Sequence, residues 1–177
     1  MFAPPQIIQT EVFARVPDKL HCSRPSAWVA ARQYDKLGSF LEGPSFDRAG
    51  NLYCTDIPYG RIFRVSPQGV FEVVAEYDGE PNGLKIHKDG RIFITDYRRG
   101  LMVLDAASGK IESFLGRRHS ESFKGLNDLF FASNGDLYFT DQGQTGLHDP
   151  TGRVYRLSTD GRLDCLINTV QIGRAHV

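Results

Sequence analysis

The chain has 177 residues, of which 41% are hydrophobic and 24% charged; Lys plus Arg and Asp plus Glu both number 21, so the formal net charge is zero. Such a composition belongs to an ordinary globular chain with a core to bury, and it excludes a disordered chain. It also supplies no overall field that would draw nucleic acid or an anionic membrane, so neither is expected as a partner.

The three cysteines, Cys22, Cys54 and Cys165, are odd in number and far apart, which fits neither a zinc pair nor a disulfide framework. A reducing compartment is the simpler reading. With no basic start followed by an apolar leader and no run near the roughly 20 apolar residues that span a bilayer, a cytoplasmic protein is expected.

Residues 1–40 form a segment outside any repeat. It is expected to be poorly constrained, with the stretch "PDKLHCSRPSAWVAARQYDKLGS" a lid or a partner strand for the missing last blade. From residue 42 the chain repeats itself: "EGPSFDRAGNLYCTD" (42–56), "NGLKIHKDGRIFITD" (82–96) and "NDLFFASNGDLYFTD" (127–141), offset by 40 and 45 residues. Phe46, Ile86 and Phe131 coincide, as do Gly50, Gly90 and Gly135, Leu52, Ile92 and Leu137, and Asp56, Asp96 and Asp141.

Within each repeat short apolar runs alternate with turn signals. The first reads "SFDR", "NLYCTD", "RIFRVS" and "VFEVVAEY", punctuated by "AG", "IPYG" and "PQG". The others follow suit, and no segment shows helical periodicity. Four antiparallel strands per unit of this period, with Gly at fixed turns, predict an all-β chain built of β-propeller blades starting near 42, 82 and 127.

In that geometry the first strand of each blade lines the central channel and begins at one face, so Glu42, Asn82 and Asn127 converge at its mouth. The loops between strands 2 and 3 and between blades fall on this same face. They carry Tyr59, Arg98, Arg99, Arg117, Arg118, His119, His148 and Asp149, whereas the opposite face has only tight turns. Long irregular loops bearing rings and guanidinium groups mark a functional end.

The pieces "LEGPSFDRAGNLYCTD", "PNGLKIHKDGRIFITD" and "GLNDLFFASNGDLYFTDQGQTGLHDPTGRVYRL" resemble the SMP-30/gluconolactonase/LRE-like family over residues 41–170. The resemblance implies a six-bladed propeller, of which this chain carries about three blades over 41–171. It further implies a divalent-metal-dependent hydrolase opening a sugar lactone, with a small-molecule lactone as its partner. The implied ion is calcium first, with zinc, magnesium or manganese as alternatives. Glu42 matches the family's metal-binding Glu, and Asn127 an Asn beside the metal. Asn82, Asp128, Arg98, Arg118 and His148 are the candidate substrate contacts.

A carboxylate and amide oxygens suit a hard cation, which polarises a lactone carbonyl and lowers the pKa of a bound water. The family's two further ligands, in an "NG" segment and a "PDG"-like segment further along, and its general-base Asp are missing from this sequence. The closing "IGRAHV" (172–177) reads back as ATC-GGA-AGA-GCA-CAC-GTC, the opening of a common sequencing adapter, and is expected to be non-native. The 177-residue chain is therefore expected to be inactive.

Each candidate has a plainer role beside it. Glu42 suits a solvated strand start, Asn82 and Asn127 suit turns or caps, and the arginines and histidines suit a wet surface. Asp56, Asp96 and Asp141 recur in every repeat and read as turn-closing residues that accept from nearby backbone N–H groups. No phosphate loop, serine elbow or cysteine nucleophile is present. A propeller that binds a ligand or protein without turnover is the rival function, and the oligomeric state is left open.

Overall fold

The computed structural model describes residues 5–34 and 36–171; the closing hexapeptide lies outside them. After a 3-10 turn at Asp18–Leu20 and a short helix α1 (Ala27–Ala31), the regular elements among the described residues are strands apart from one further 3-10 turn. The first blade holds β1 (Leu41–Phe46), β2 (Leu52–Asp56), β3 (Arg61–Val65) and β4 (Phe71–Glu76), with a 3-10 turn at Ile57–Tyr59. The second holds β5 (Pro81–Ile86), β6 (Ile92–Asp96), β7 (Gly100–Asp105) and β8 (Lys110–Leu115). A small hairpin of β9 (Arg117–Arg118) and β10 (Glu121–Ser122) precedes the third, made of β11 (Leu126–Phe131), β12 (Leu137–Asp141), β13 (Gly152–Leu157) and β14 (Leu163–Val170).

Each blade is a four-stranded antiparallel sheet in simple sequence order. The first strands β1, β5 and β11 pack side by side, which makes them the inner strands of a propeller arc. The recurring glycines take the left-handed turn position between strands 1 and 2, with φ of 84° at Gly50, 95° at Gly90 and 92° at Gly135. Any other residue would be strained there.

Alternation along the strands sends one face of each sheet into an interblade layer. Tyr53, Ile62, Leu84, Ile94 and Leu104 fill the layer between the first and second blades. Phe93, Leu101, Leu126, Phe139 and Tyr155 fill the layer between the second and third.

The segment expected to be loose is tied down from residue 18 onward. Trp28 and Val29 are buried against Ile57 in a third, smaller cluster. Arg61 reaches back to the Leu20 carbonyl at 2.7 Å, Ser26 donates to the Pro58 carbonyl at 2.6 Å, and Arg24 donates to the Tyr59 carbonyl at 2.9 Å. The helix escaped periodicity because five residues barely exceed one turn. Among the described residues, no helix is long and apolar enough to cross a membrane.

Candidate functional site

Three local devices recur where the inner strands begin, the first two at all three strands and the third at the second and third. The first is a buried carboxylate. Asp56, Asp96 and Asp141, all fully buried at the ends of β2, β6 and β12, accept the backbone N–H of Phe40, Glu80 and Gly125, each at 2.8 Å. Each acceptor lies 16 residues after its donor, so the bond clamps the chain immediately before the inner strand rather than closing a turn. Asp96 does both, since its other oxygen accepts the N–H groups of Arg98 and Arg99 at 2.8 Å.

The second device is a β-bulge. Register slips between Glu42 and Ser45, between Pro81 and Leu84, and between Leu126 and Leu129. The inner strands begin at Leu41, Pro81 and Leu126, one residue before Glu42, Asn82 and Asn127. A bulge re-aims the side chains beside it.

The third device joins neighbouring blades at these bulges. Thr55 donates its hydroxyl to the Asn82 carbonyl at 2.7 Å, and Thr95 donates to the Asn127 carbonyl at 2.6 Å while accepting the Gly83 N–H at 2.9 Å. Gly43 and Gly83 make room for this approach. A Cβ at Gly43 would stand 2.7 Å from the Asn82 carbonyl oxygen, and one at Gly83 would stand 2.8 Å from that of Asn127. The backbone of residues 82 and 127 is thus fixed from the preceding blade.

A cleft of about 850 Å³ opens on the face where the inner strands begin. Its lining comes from the second inner strand and the residue before it (Asn82, Glu80), the loops after strand 2 of all three blades (Ile57, Tyr97, Gln142–Thr145) and α1 with its exit (Trp28, Arg32, Tyr34). Asn82 is buried in it, and Gln144 Nε2 donates to the Tyr97 hydroxyl at 3.0 Å on its rim. Glu80 is half-buried, and burial pushes its pKa up against the pull of Arg98 and Arg32.

The sequence candidates are therefore partly gathered. Asn82 faces the cleft, whereas Glu42, half-buried on the first inner strand, also borders an apolar recess lined by Val12, Phe13, Pro44 and Cys54. Asn127 is half-buried at the equivalent position of the third blade. Asp128 is exposed, its carboxylate accepting the Leu129 N–H at 2.8 Å. Arg98 borders a neighbouring polar cleft and pairs with Asp78 at 2.9 Å. Arg118 lies on the β9–β10 hairpin with its guanidinium 5.9 Å from the Tyr155 ring centre, and His148 sits in the exposed 147–150 loop.

Glu80 and the interblade threonines are absent from the sequence reading. The threonines were visible in the recurring Thr-Asp, but Glu80 aligns with Phe40 and Gly125 and so belongs to no repeated polar pattern.

Glu42 and Asn127 offer one carboxylate and one amide oxygen, the donor kinds a hard cation takes. Among the described residues no three His, Cys, Asp or Glu side chains cluster to hold an ion by themselves. The donors fit such an ion in kind and supply part of the six to eight oxygens calcium takes. Cys22, Cys54 and Cys165 are free thiols, and burial pushes the pKa of Cys54 up to about 12, which makes it a poor nucleophile.

Residues 40–175 match the model of the SMP-30/Gluconolactonase/LRE-like region. The lactonase drp35 of Staphylococcus aureus strain MRSA252 is 32% identical over 136 residues, which cover 72% of this chain and 41% of that protein. The chain thus spans well under half the length of this relative. Among solved structures, a gluconolactonase from Xanthomonas campestris superposes with a TM-score of 0.65 at 24% identity, over 73% of this chain and 48% of that one. The calcium-binding protein regucalcin of Agrobacterium tumefaciens strain C58 gives 0.60 at 22% identity, over 75% and 44%. At these identities the superpositions establish the shared propeller architecture.

Proposed function

We propose, from the premise that this chain belongs to the SMP-30/Gluconolactonase/LRE-like family, that the whole protein hydrolyses a sugar lactone with the help of one divalent cation, calcium foremost. The observation that carries the reading is the repeated bulge that sets Glu42, Asn82 and Asn127 at equivalent starts of three adjacent inner strands. The likeness to a lactonase at 32% identity supports the reaction class. The likeness to a calcium-binding propeller supports only a fold in which such an ion is at home. The 41–171 region is taken as the propeller portion, and the free thiols are in keeping with a cytoplasmic site.

Glu42 and Asn127 would hold the ion, which when bound supplies Lewis-acid polarisation of the lactone carbonyl. Asn82, buried in the cleft, orients the ring through its amide, which both donates and accepts. Its carbonyl is already occupied by Thr55, so the backbone under it is preorganised before substrate arrives. The Tyr97–Gln144 pair borders the same cleft and offers further donors and acceptors at its rim. No residue of this chain is assigned as general base, a role the family resemblance gives to a later blade.

The test is release of acid from glucono-δ-lactone by the whole protein, with calcium and with a chelator. Turnover above the spontaneous rate, stimulated by the ion and lost by about 100-fold or more in Glu42→Ala, supports the reading. Acid release no faster than the blank with every ion tried would leave the protein a binding propeller.

A further inference from the structure

The segment 18–40 lies almost wholly before the family match at 40–175, yet it forms one side of the cleft. It is fastened firmly. Besides the bonds from Arg24, Ser26 and Arg61 to or from the first blade, Arg24 pairs with Glu76 at 2.7 Å, the Tyr59 hydroxyl donates to the Leu37 carbonyl, and Cys22 N–H closes the segment on Gly38 O at 3.0 Å.

The local fold aims its side chains. After α1 the Gln33 N–H bonds Ala30 O at 3.1 Å and the Tyr34 N–H bonds Val29 O at 3.3 Å, with Gln33 in the left-handed region at φ 57°. This is a Schellman ending, which folds the following residue back over the helix. Tyr34 accordingly lies over Trp28, ring centres 6.4 Å apart and planes at 22°. The Arg32 guanidinium lies 3.8 Å from the Trp28 ring centre. Arg32 and Tyr34 both face the cleft, with Glu80 and Asn82 on its blade side.

We propose that this segment is a ligand-binding wall: Arg32 and Tyr34 from the exit of α1, and Glu80 just before the second inner strand with Asn82 on it, hold a neutral hydroxylated ring between them. One positive and one negative side chain leave the pair without net charge, which suits a neutral ligand better than an ionic one. The Asn82 and Gln144 amides and the Tyr97 hydroxyl offer donors and acceptors together, the pattern that several hydroxyls satisfy. An apolar ligand would leave Glu80 and the amides desolvated and unpaired. Tyr34, 49% exposed, presents a ring surface for the C–H face of a sugar. The half-burial that raises the Glu80 pKa also strengthens any hydrogen bond made to it. The ligand's class rests on the lactone reading above; the wall itself rests on the cleft.

Trp28 is the single tryptophan of the chain and lines the cleft, so its emission reports occupancy. The 177-residue chain is titrated with 1,5-anhydroglucitol, a neutral ring that cannot be hydrolysed, followed by Trp28 fluorescence and by calorimetry. The expected result is saturable binding, weakened about tenfold or more in Arg32→Ala and in Glu80→Ala, the loss of one hydrogen bond to a charged group. Lys88→Ala, on the opposite face, leaves it unchanged. Tyr34→Ala, at an exposed position, gives the same reading should Arg32→Ala loosen the helix in circular dichroism.

Saturable binding that none of the three wall and strand variants alters overturns the wall while leaving the lactone reading to the acid-release assay. No saturable signal from the unsubstituted chain overturns the wall as well, again without touching that assay.

Discussion

At the scale of single residues, the three equivalent aspartates show how one position carries different energetics in different blades. Asp56 Oδ2 pairs with the buried Arg61 at 2.5 Å, and Asp96 Oδ2 accepts the Tyr77 hydroxyl at 2.7 Å. Asp141 Oδ2 is without a hydrogen-bond partner among the described residues, because Arg153, the residue registered opposite it, turns to Glu121 at 2.9 Å. Asp56→Asn strips a buried guanidinium of its partner and is expected to cost about 3–5 kcal/mol. Asp141→Asn removes a buried charge that has no such partner, so its cost is expected to be much smaller, as urea unfolding would read.

Burial raises the Asp141 pKa, with the Gly125 N–H pulling the other way. The folded chain thus holds that proton more tightly than the unfolded one. Its stabilising contribution is complete below the unfolded value and is lost as pH rises through the raised folded value. The asparagine has no such dependence. The stability gap should therefore move in the variant's favour as pH rises from about 4 to about 7; a gap that stays flat would show that Asp141 is not titrating in that window.

At the scale of elements, the Thr-to-carbonyl bond between blades is the most exposed to test. Thr95 is fully buried, and Thr95→Val leaves the Gly83 N–H and the Asn127 carbonyl without it. A loss of about 1–3 kcal/mol is expected, measured by urea unfolding, with Thr55→Val behaving alike. The strands themselves were legible in the sequence, because alternation of apolar residues and glycines at turns are local signals. The bulges were not: register depends on the partner strand, which no short pattern records. Glu42, Asn82 and Asn127 could be picked out as polar residues at blade starts, but their distribution between a cleft and an apolar recess depends on the segment before the first blade. That segment, with one short helix ended by a non-glycine residue in the left-handed region, gave no periodic sign of its packing.

At the scale of the whole molecule, the described arc ends in two apolar faces. Leu129 faces the second blade, so alternation turns Phe130 to the far side of the third, where it is 66% exposed. Leu166 and Ile167 of β14 are also exposed. On the first blade, Leu41, Leu52, Val65 and Phe71 line an apolar recess that Val12, Phe13 and Ala14 partly cover. Surfaces of this kind drive association in water. The 177-residue chain is expected to sediment as concentration-dependent oligomers, and Phe130→Lys is expected to shift the distribution toward monomer. A monodisperse monomer for the unsubstituted chain would argue that these faces are too small or too broken to associate.

The threonine bond leaves from strand 2 of one blade and lands on strand 1 of the next. A stretch of gene that begins just ahead of strand 1 therefore encodes both halves of the joint, a socket at its front and a plug a dozen codons on. Duplicating such a stretch in tandem yields copies that already fit one another, before any further substitution refines them. Recombination cut between strand 1 and strand 2 would separate plug from socket, so viable blade shuffling in this architecture should avoid breakpoints there and favour the loops after strand 2, 3 or 4.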